Sequence, residues 1–182
     1  MDEAAGAGTS PRGFTVLDGA GLVGGAAAAS VHLRDLVDRP ITAAGWVLAW
    51  LAFSGVALSA AGPIVLAVRR LSGRDRGAPR LGEWLWLLLG TPWLLGAPLR
   101  PFPPESAATA PLADDRQLYL LVLSLTLAAC CLAAMLIVWY AWVQAPARRR
   151  DAGPPPRWSE VVGLCLAIAW PLQWGFLLVV LG

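Results

Sequence analysis

Residues able to do chemistry are scarce in this chain, and most lie in short clusters between long apolar runs. All fourteen basic side chains are Arg, against twelve acids, one His and three Cys. Nucleophilic catalysis needs a base within reach of the nucleophile. The strongest apolar runs offer only Ser54, Ser59, Thr91, Ser124, Thr126 and Gln173, which ordinarily bond their own helix or a neighbour. His32 has no partners at metal-ligand spacing and reads as a helix end beside Arg34. Cys130, Cys131 and Cys165 fall inside apolar runs, where they serve as small packing residues and not as a disulfide framework. No catalytic residue, metal site or cofactor is therefore expected. An intramembrane enzyme would have to work with Asp18, Glu83 and Glu160 alone, and it ranks last among the readings.

Three patterns carry more information. Asp18 lies within an apolar segment, where a carboxylate is a functional-site hypothesis by default, although it is close enough to the Phe14 end to reach the interface. The arginines concentrate in two loops. Arg69, Arg70, Arg74, Arg76 and Arg80 face one acid, Asp75; Arg148, Arg149, Arg150 and Arg157 face Asp151. Short loops of this kind beside apolar runs fit anionic lipid headgroups or a membrane-protein partner better than nucleic acid. The same loops carry an internal echo. Pro79-Arg80-Leu81-Gly82-Glu83 recurs 77 residues later as Pro156-Arg157-Trp158-Ser159-Glu160, so that Glu83 and Glu160 form a repeat pair. A carboxylate in the first turn of a helix is favoured by the helix dipole by about 0.3–1 kcal/mol. The sharper reading is a symmetric Arg/Glu site at the cytoplasmic surface. Trp46 and Trp50, like Trp170 and Trp174, are spaced to share a helix face. With Trp93 they could form an aromatic cluster in the outer half of a membrane, able to hold a lipid tail or isoprenoid; a lipid-facing belt is the simpler reading.

The elements that must position these groups are helical and membrane-sized. Apolar residues make up 57% of the chain and charged residues 14%, against roughly 45–50% and about 25% in soluble domains. Mean hydropathy is +0.61. Crossing a hydrocarbon core of about 30 Å takes roughly 20 helical residues. Segments 41–68, 81–99, 118–143 and 161–181 qualify, and Pro63, Pro92 and Pro171 should kink three of them. Segment 14–31 is a weaker span, interrupted by Asp18 and several glycines. Its Gly21, Gly25 and Ala29 recur every fourth position, a pattern that lets a helix approach a neighbour closely. The expected fold is an all-α, polytopic transmembrane bundle over residues 14–182, preceded by a flexible tail over 1–13. Two tandem hairpins in parallel repeat would account for the echo.

The run Gly13-Phe14-Thr15-Val16-Leu17-Asp18 resembles the cleavage region of type IV prepilins, which would imply processing after Gly13. It departs from that family in having Asp where the family has Glu, and a Gly/Ala-rich run after it. A signal peptide ending near Ala27–Ala29 is a further alternative, against which stand the acidic Asp2 and Glu3. Arg-rich loops stay cytoplasmic, which puts the Pro-rich segment 100–117 and the C-terminus outside. Trp84, Trp86, Trp139, Trp142 and Trp158 then fall at the cytoplasmic interface, where indoles anchor in the headgroup layer. The absence of Lys and Asn, with abundant Ala and Gly, suggests a GC-rich bacterial genome and hence an inner-membrane location. The expected role is an interaction or assembly component, with a membrane-protein partner or as a homo-oligomer, and with a carrier of a small apolar or lipid-like molecule as the alternative.

Overall fold

An apolar run removed from water must pair its backbone N–H and C=O groups within itself, and a helix does so. The computed structural model describes residues 14–34, 42–73, 77–100, 112–148 and 156–181, with side-chain placement described outside 112–116, 145–148 and 171–181. All regular structure among them is helical: α1 (Val16–Leu33), α2 (Ala43–Leu71), α3 (Leu81–Gly96) with a 3₁₀ turn (Ala97–Leu99), α4 (Leu112–Arg148) and α5 (Trp158–Leu181). Three stretches, Val16–Leu33, Ala43–Leu71 and Gln117–Gln144, are long and apolar enough to cross a membrane. Helix α3 has 16 residues, about 24 Å of rise, and is shorter than the expected segment 81–99 because the 3₁₀ turn containing Pro98 ends it.

Helices α1 and α2 run antiparallel and share the tightest seam. On α1 the buried positions Asp18, Gly21, Gly25, Ala28, Ala29 and His32 recur at three- and four-residue intervals along one face. A side chain at Gly25 would overlap the Ala57 carbonyl oxygen and come within 2.7 Å of the Ala61 amide nitrogen. The seam closes only because α1 has nothing there. The start of α1 is fixed by Thr15, whose hydroxyl caps the Asp18 amide while the Asp18 carboxylate accepts the Thr15 backbone N–H at 2.9 Å.

Helix α3 is the hub, packed against α2, α4 and α5. Gly62 of α2 leaves room for the Trp86 indole, and Gly90 lets α3 close on the Ser59 carbonyl and the Pro63 ring. Trp86 is fully buried, with its N–H donated to the Leu58 carbonyl at 2.7 Å, so it is a core residue and not the interface anchor its position suggests. Gly82 and Gly163 bring the first turns of α3 and α5 into backbone contact, side by side and parallel. Helix α4 stands apart. Its buried side chains among the described residues are Tyr119, Leu123 and Leu127, one seam in its first half, while Met135, Trp139 and Trp142 are 69%, 62% and 74% exposed.

The α1–α2 seam yields a test. Gly25→Val should cost about 1–3 kcal/mol of unfolding free energy in detergent or lipid, the usual penalty of overpacking. Val23→Ala, on the open face of the same helix, should stay within about 0.5 kcal/mol. Equal effects at the two positions would show that the seam is not closed.

Candidate functional site

The densest polar cluster forms where the start of α1, the end of α2 and the starts of α3 and α5 converge. It begins with Asp18, fully buried because it occupies the α1 seam. A buried carboxylate needs a cation and donors for its oxygens. Arg69, in the last turn of α2, supplies a two-pronged contact: Nε donates to Oδ1 at 2.7 Å and Nη2 to Oδ2 at 3.0 Å. Thr15 donates its N–H and hydroxyl to Oδ2. The remaining Arg69 nitrogen, Nη1, donates to the Ser159 hydroxyl at 3.2 Å, and its guanidinium lies 4.8 Å from the centroid of the Trp158 ring.

Ser159 passes the connection on. Its hydroxyl donates to Glu83 Oε1 at 2.6 Å, and Glu83 Oε2 accepts the Arg80 backbone N–H at 3.1 Å. Glu83 is as deeply buried as Asp18, since Gly82 brings α5 hard against its turn. The two echo motifs then exchange partners. Arg80 Nη1 donates to Glu160 Oε2 at 3.1 Å, while Arg157 Nη1 lies 3.7 Å from Glu83 Oε1. Three acids and three arginines thus neutralise one another across four helices. Aromatic rings surround the cluster: Phe14 lies 5.5 Å and Trp86 5.7 Å from Trp158, centroid to centroid.

Of the positions singled out in the sequence, Asp18, Arg69, Arg80, Glu83, Arg157 and Glu160 come together here. Arg70, the next residue of the last α2 turn, is exposed. Arg74, Arg76, Arg149 and Arg150 lie outside the described residues, as do the side chains of Arg148 and Trp174. The tryptophans divide. Trp93 and Trp170 meet edge to face at 6.5 Å in the core, whereas Trp46 and Trp50 are exposed on α2, Trp50 against Phe53. Two participants had no assigned role: Ser159, the bridge, and Thr15, the cap. The signals were present. Thr15-x-x-Asp18 is a capping pattern, and Asp18 shares the face of Gly21, Gly25 and Ala29, which places it towards a neighbour.

A second polar group lies at the other end, where His32, Trp93, Arg100 and Tyr119 meet. No cluster of three or more metal-ligating side chains occurs among the described residues. No protein-family model, curated protein or solved structure matches the chain.

The chemistry of the larger cluster is that of a lock: every carboxylate in it already accepts from an arginine or a capping donor. Arg69→Met should strand Asp18 and cost about 3–5 kcal/mol, while Asp18→Leu combined with Arg69→Met should recover most of that loss. Arg70→Met serves as the exposed control, and unfolding of the purified protein in mild detergent or lipid provides the measure. A double variant no more stable than the single one would mean that the pair is not the source of the cost.

Proposed function

We propose that the chain is a polytopic protein of the bacterial inner membrane that works as an interaction or assembly component. In this reading all five helices cross the bilayer, with the arginine-rich end cytoplasmic and the C-terminus outside. The observation that carries the reading is a division of labour. The charged side chains that converge in the bundle are spent on one another: each carboxylate of the described cluster already accepts from an arginine, a capping N–H or a hydroxyl, which disfavours ion transfer there. Helix α4, in contrast, offers a long apolar surface with Trp and Tyr at its far end. Arg70 and the other loop arginines suit anionic headgroups or an acidic partner segment. The exchange of Arg and Glu between the echo motifs agrees with an origin by duplication of a hairpin, the two copies packed about an axis along the membrane normal.

One observation favours a second reading, a carrier of a lipid-like molecule. The Trp93 indole N–H is buried beside Trp170 without an acceptor among the described residues, a group that a polar end of a ligand could satisfy. Extraction in native lipid with mass spectrometry of everything that co-purifies separates the two. A stoichiometric protein partner supports the assembly reading. A lone protein that retains one defined lipid, and loses it in Trp170→Ala, overturns that reading in favour of the carrier.

A further inference from the structure

Helix α1 is the least apolar of the three stretches long enough to cross a membrane. Its bulky apolar side chains are Val16, Leu17, Leu22, Val23, Val31 and Leu33; the other positions are Gly, Ala, Asp18, Ser30 and His32. On insertion scales one mid-span Asp offsets roughly five Leu or Val residues. The arginines nearest α1 also favour the wrong orientation. Arg12 precedes it, whereas Arg34 and Arg39 follow it. Positive flanks stay cytoplasmic, so this count by itself would keep the Leu33 end inside. In the bundle it is the Asp18 end of α1 that lies with Arg69 and Ser159 at the arginine-rich end.

The burdens that α1 carries are relieved by other helices. Both oxygens of Asp18 accept from Arg69 of α2. The His32 ring bonds the Trp93 carbonyl oxygen of α3 and the Tyr119 hydroxyl of α4, at 2.7 Å each. The glycines fit α2 in the same specific way. A β-carbon at Gly21 would lie 2.5 Å from Val65 Cγ2, and one at Gly24 2.8 Å from Ile64 Cδ1. Such positions offer little to lipid and much to a closely approaching helix.

We infer that α1 is a dependent span: it crosses with Val16 at the arginine-rich end only when docked on α2, and Arg69 is the positioning residue that fixes it there. The inference rests on the reading in which α1 crosses and the arginine-rich end is cytoplasmic. Helix α2 needs no such help. Arg70, Arg74, Arg76 and Arg80 beyond its end hold Leu71 inside and the Ala43 start outside, whether or not α1 is docked. An undocked α1 is left on the outer side with that start, and Val16 changes sides. Breaking one ion pair thus turns a five-span chain into a four-span one.

Topology is read by labelling single cysteines with a membrane-impermeant maleimide in bacterial spheroplasts, before and after lysis. The full chain carries Ser at Cys130, Cys131 and Cys165, with Val16→Cys as reporter and, in a separate chain, Leu71→Cys as control. The two native side chains are 91% and 89% exposed. In this background both positions should label only after lysis. Arg69→Met should raise labelling of Val16→Cys before lysis by about tenfold and leave Leu71→Cys protected. Adding Asp18→Leu should restore protection at Val16→Cys. Protection that survives Arg69→Met overturns the inference and leaves the five-span reading standing, and labelling that persists in the double variant also overturns the inference. Labelling of Val16→Cys before lysis in the background chain, with Leu71→Cys protected, overturns the five-span reading and the inference with it. If Arg69→Met does not accumulate, Gly25→Val opens the seam while keeping every charge; it too should expose Val16→Cys, and continued protection there overturns the inference.

Discussion

A carboxylate buried between helices must find a cation, and in this protein the rest of the arginine-rich end follows from how Asp18 finds Arg69. Its charge cannot be left in a low-dielectric seam, since desolvating an unpaired ion costs several kcal/mol. The pair sets the register of α1 on α2, because Asp18 sits on the same face as Gly21 and Gly25 and each must land opposite its own partner. It also recruits α5. Two prongs of the guanidinium are used on Asp18, which leaves Nη1 for Ser159 and the flat cation for the Trp158 ring. The first turn of α5 is thereby fixed beside the end of α2, and Glu83 is reached through the same hydroxyl. One ion pair thus orders four helix ends.

The two ends of the bundle solve the same problem with different chemistry. At one end the solution is ionic and closed; at the other it is a chain of directional hydrogen bonds through His32 and Tyr119. Between them the contacts depend on small residues, with Gly25, Gly62 and Gly90 letting backbones or indoles approach where a methyl group would collide. Helices in lipid gain little from apolar burial alone, so close packing and polar contacts carry the association. Helix α4 has few of either. Among its described residues it shows no small-residue seam against the bundle and keeps large side chains outward, so it should be the first element to open.

The helical class was legible because long runs without charge have few other solutions, and so was the closeness of α1 to a neighbour, because Gly21, Gly25 and Ala29 mark a face. The convergence of the Arg/Glu motifs was legible only as an echo in sequence; that each arginine reaches the other motif's glutamate depends on α3 and α5 starting side by side. Asp18 was read as close enough to snorkel towards water, whereas its helical face turns it inward onto Arg69. His32 was read as a helix end, which it is, but its hydrogen-bond partner Tyr119 lies 87 residues away on α4. Contacts of that range come from tertiary packing and leave no local pattern. Trp86 shows the same limit, since an indole at a helix start suits an interface or a core equally until Gly62 is known to face it.

The differences between the two echo motifs matter as much as their likeness. Arg and Glu are common to both and make the exchanged pairs, as two copies of one surface would when set face to face. The residue before each Glu differs, and each choice has a separate use. Gly82 has no side chain, which lets the backbone of α5 at Glu160 close on α3. Ser159, its counterpart, has a hydroxyl of the length needed to join Arg69 to Glu83. A serine at 82 would collide with α5, and a glycine at 159 would separate the Asp18 pair from the Glu83 pair. The near-symmetric core therefore accommodates α1 through one broken position, and a single hydroxyl makes one network out of two sets of charges.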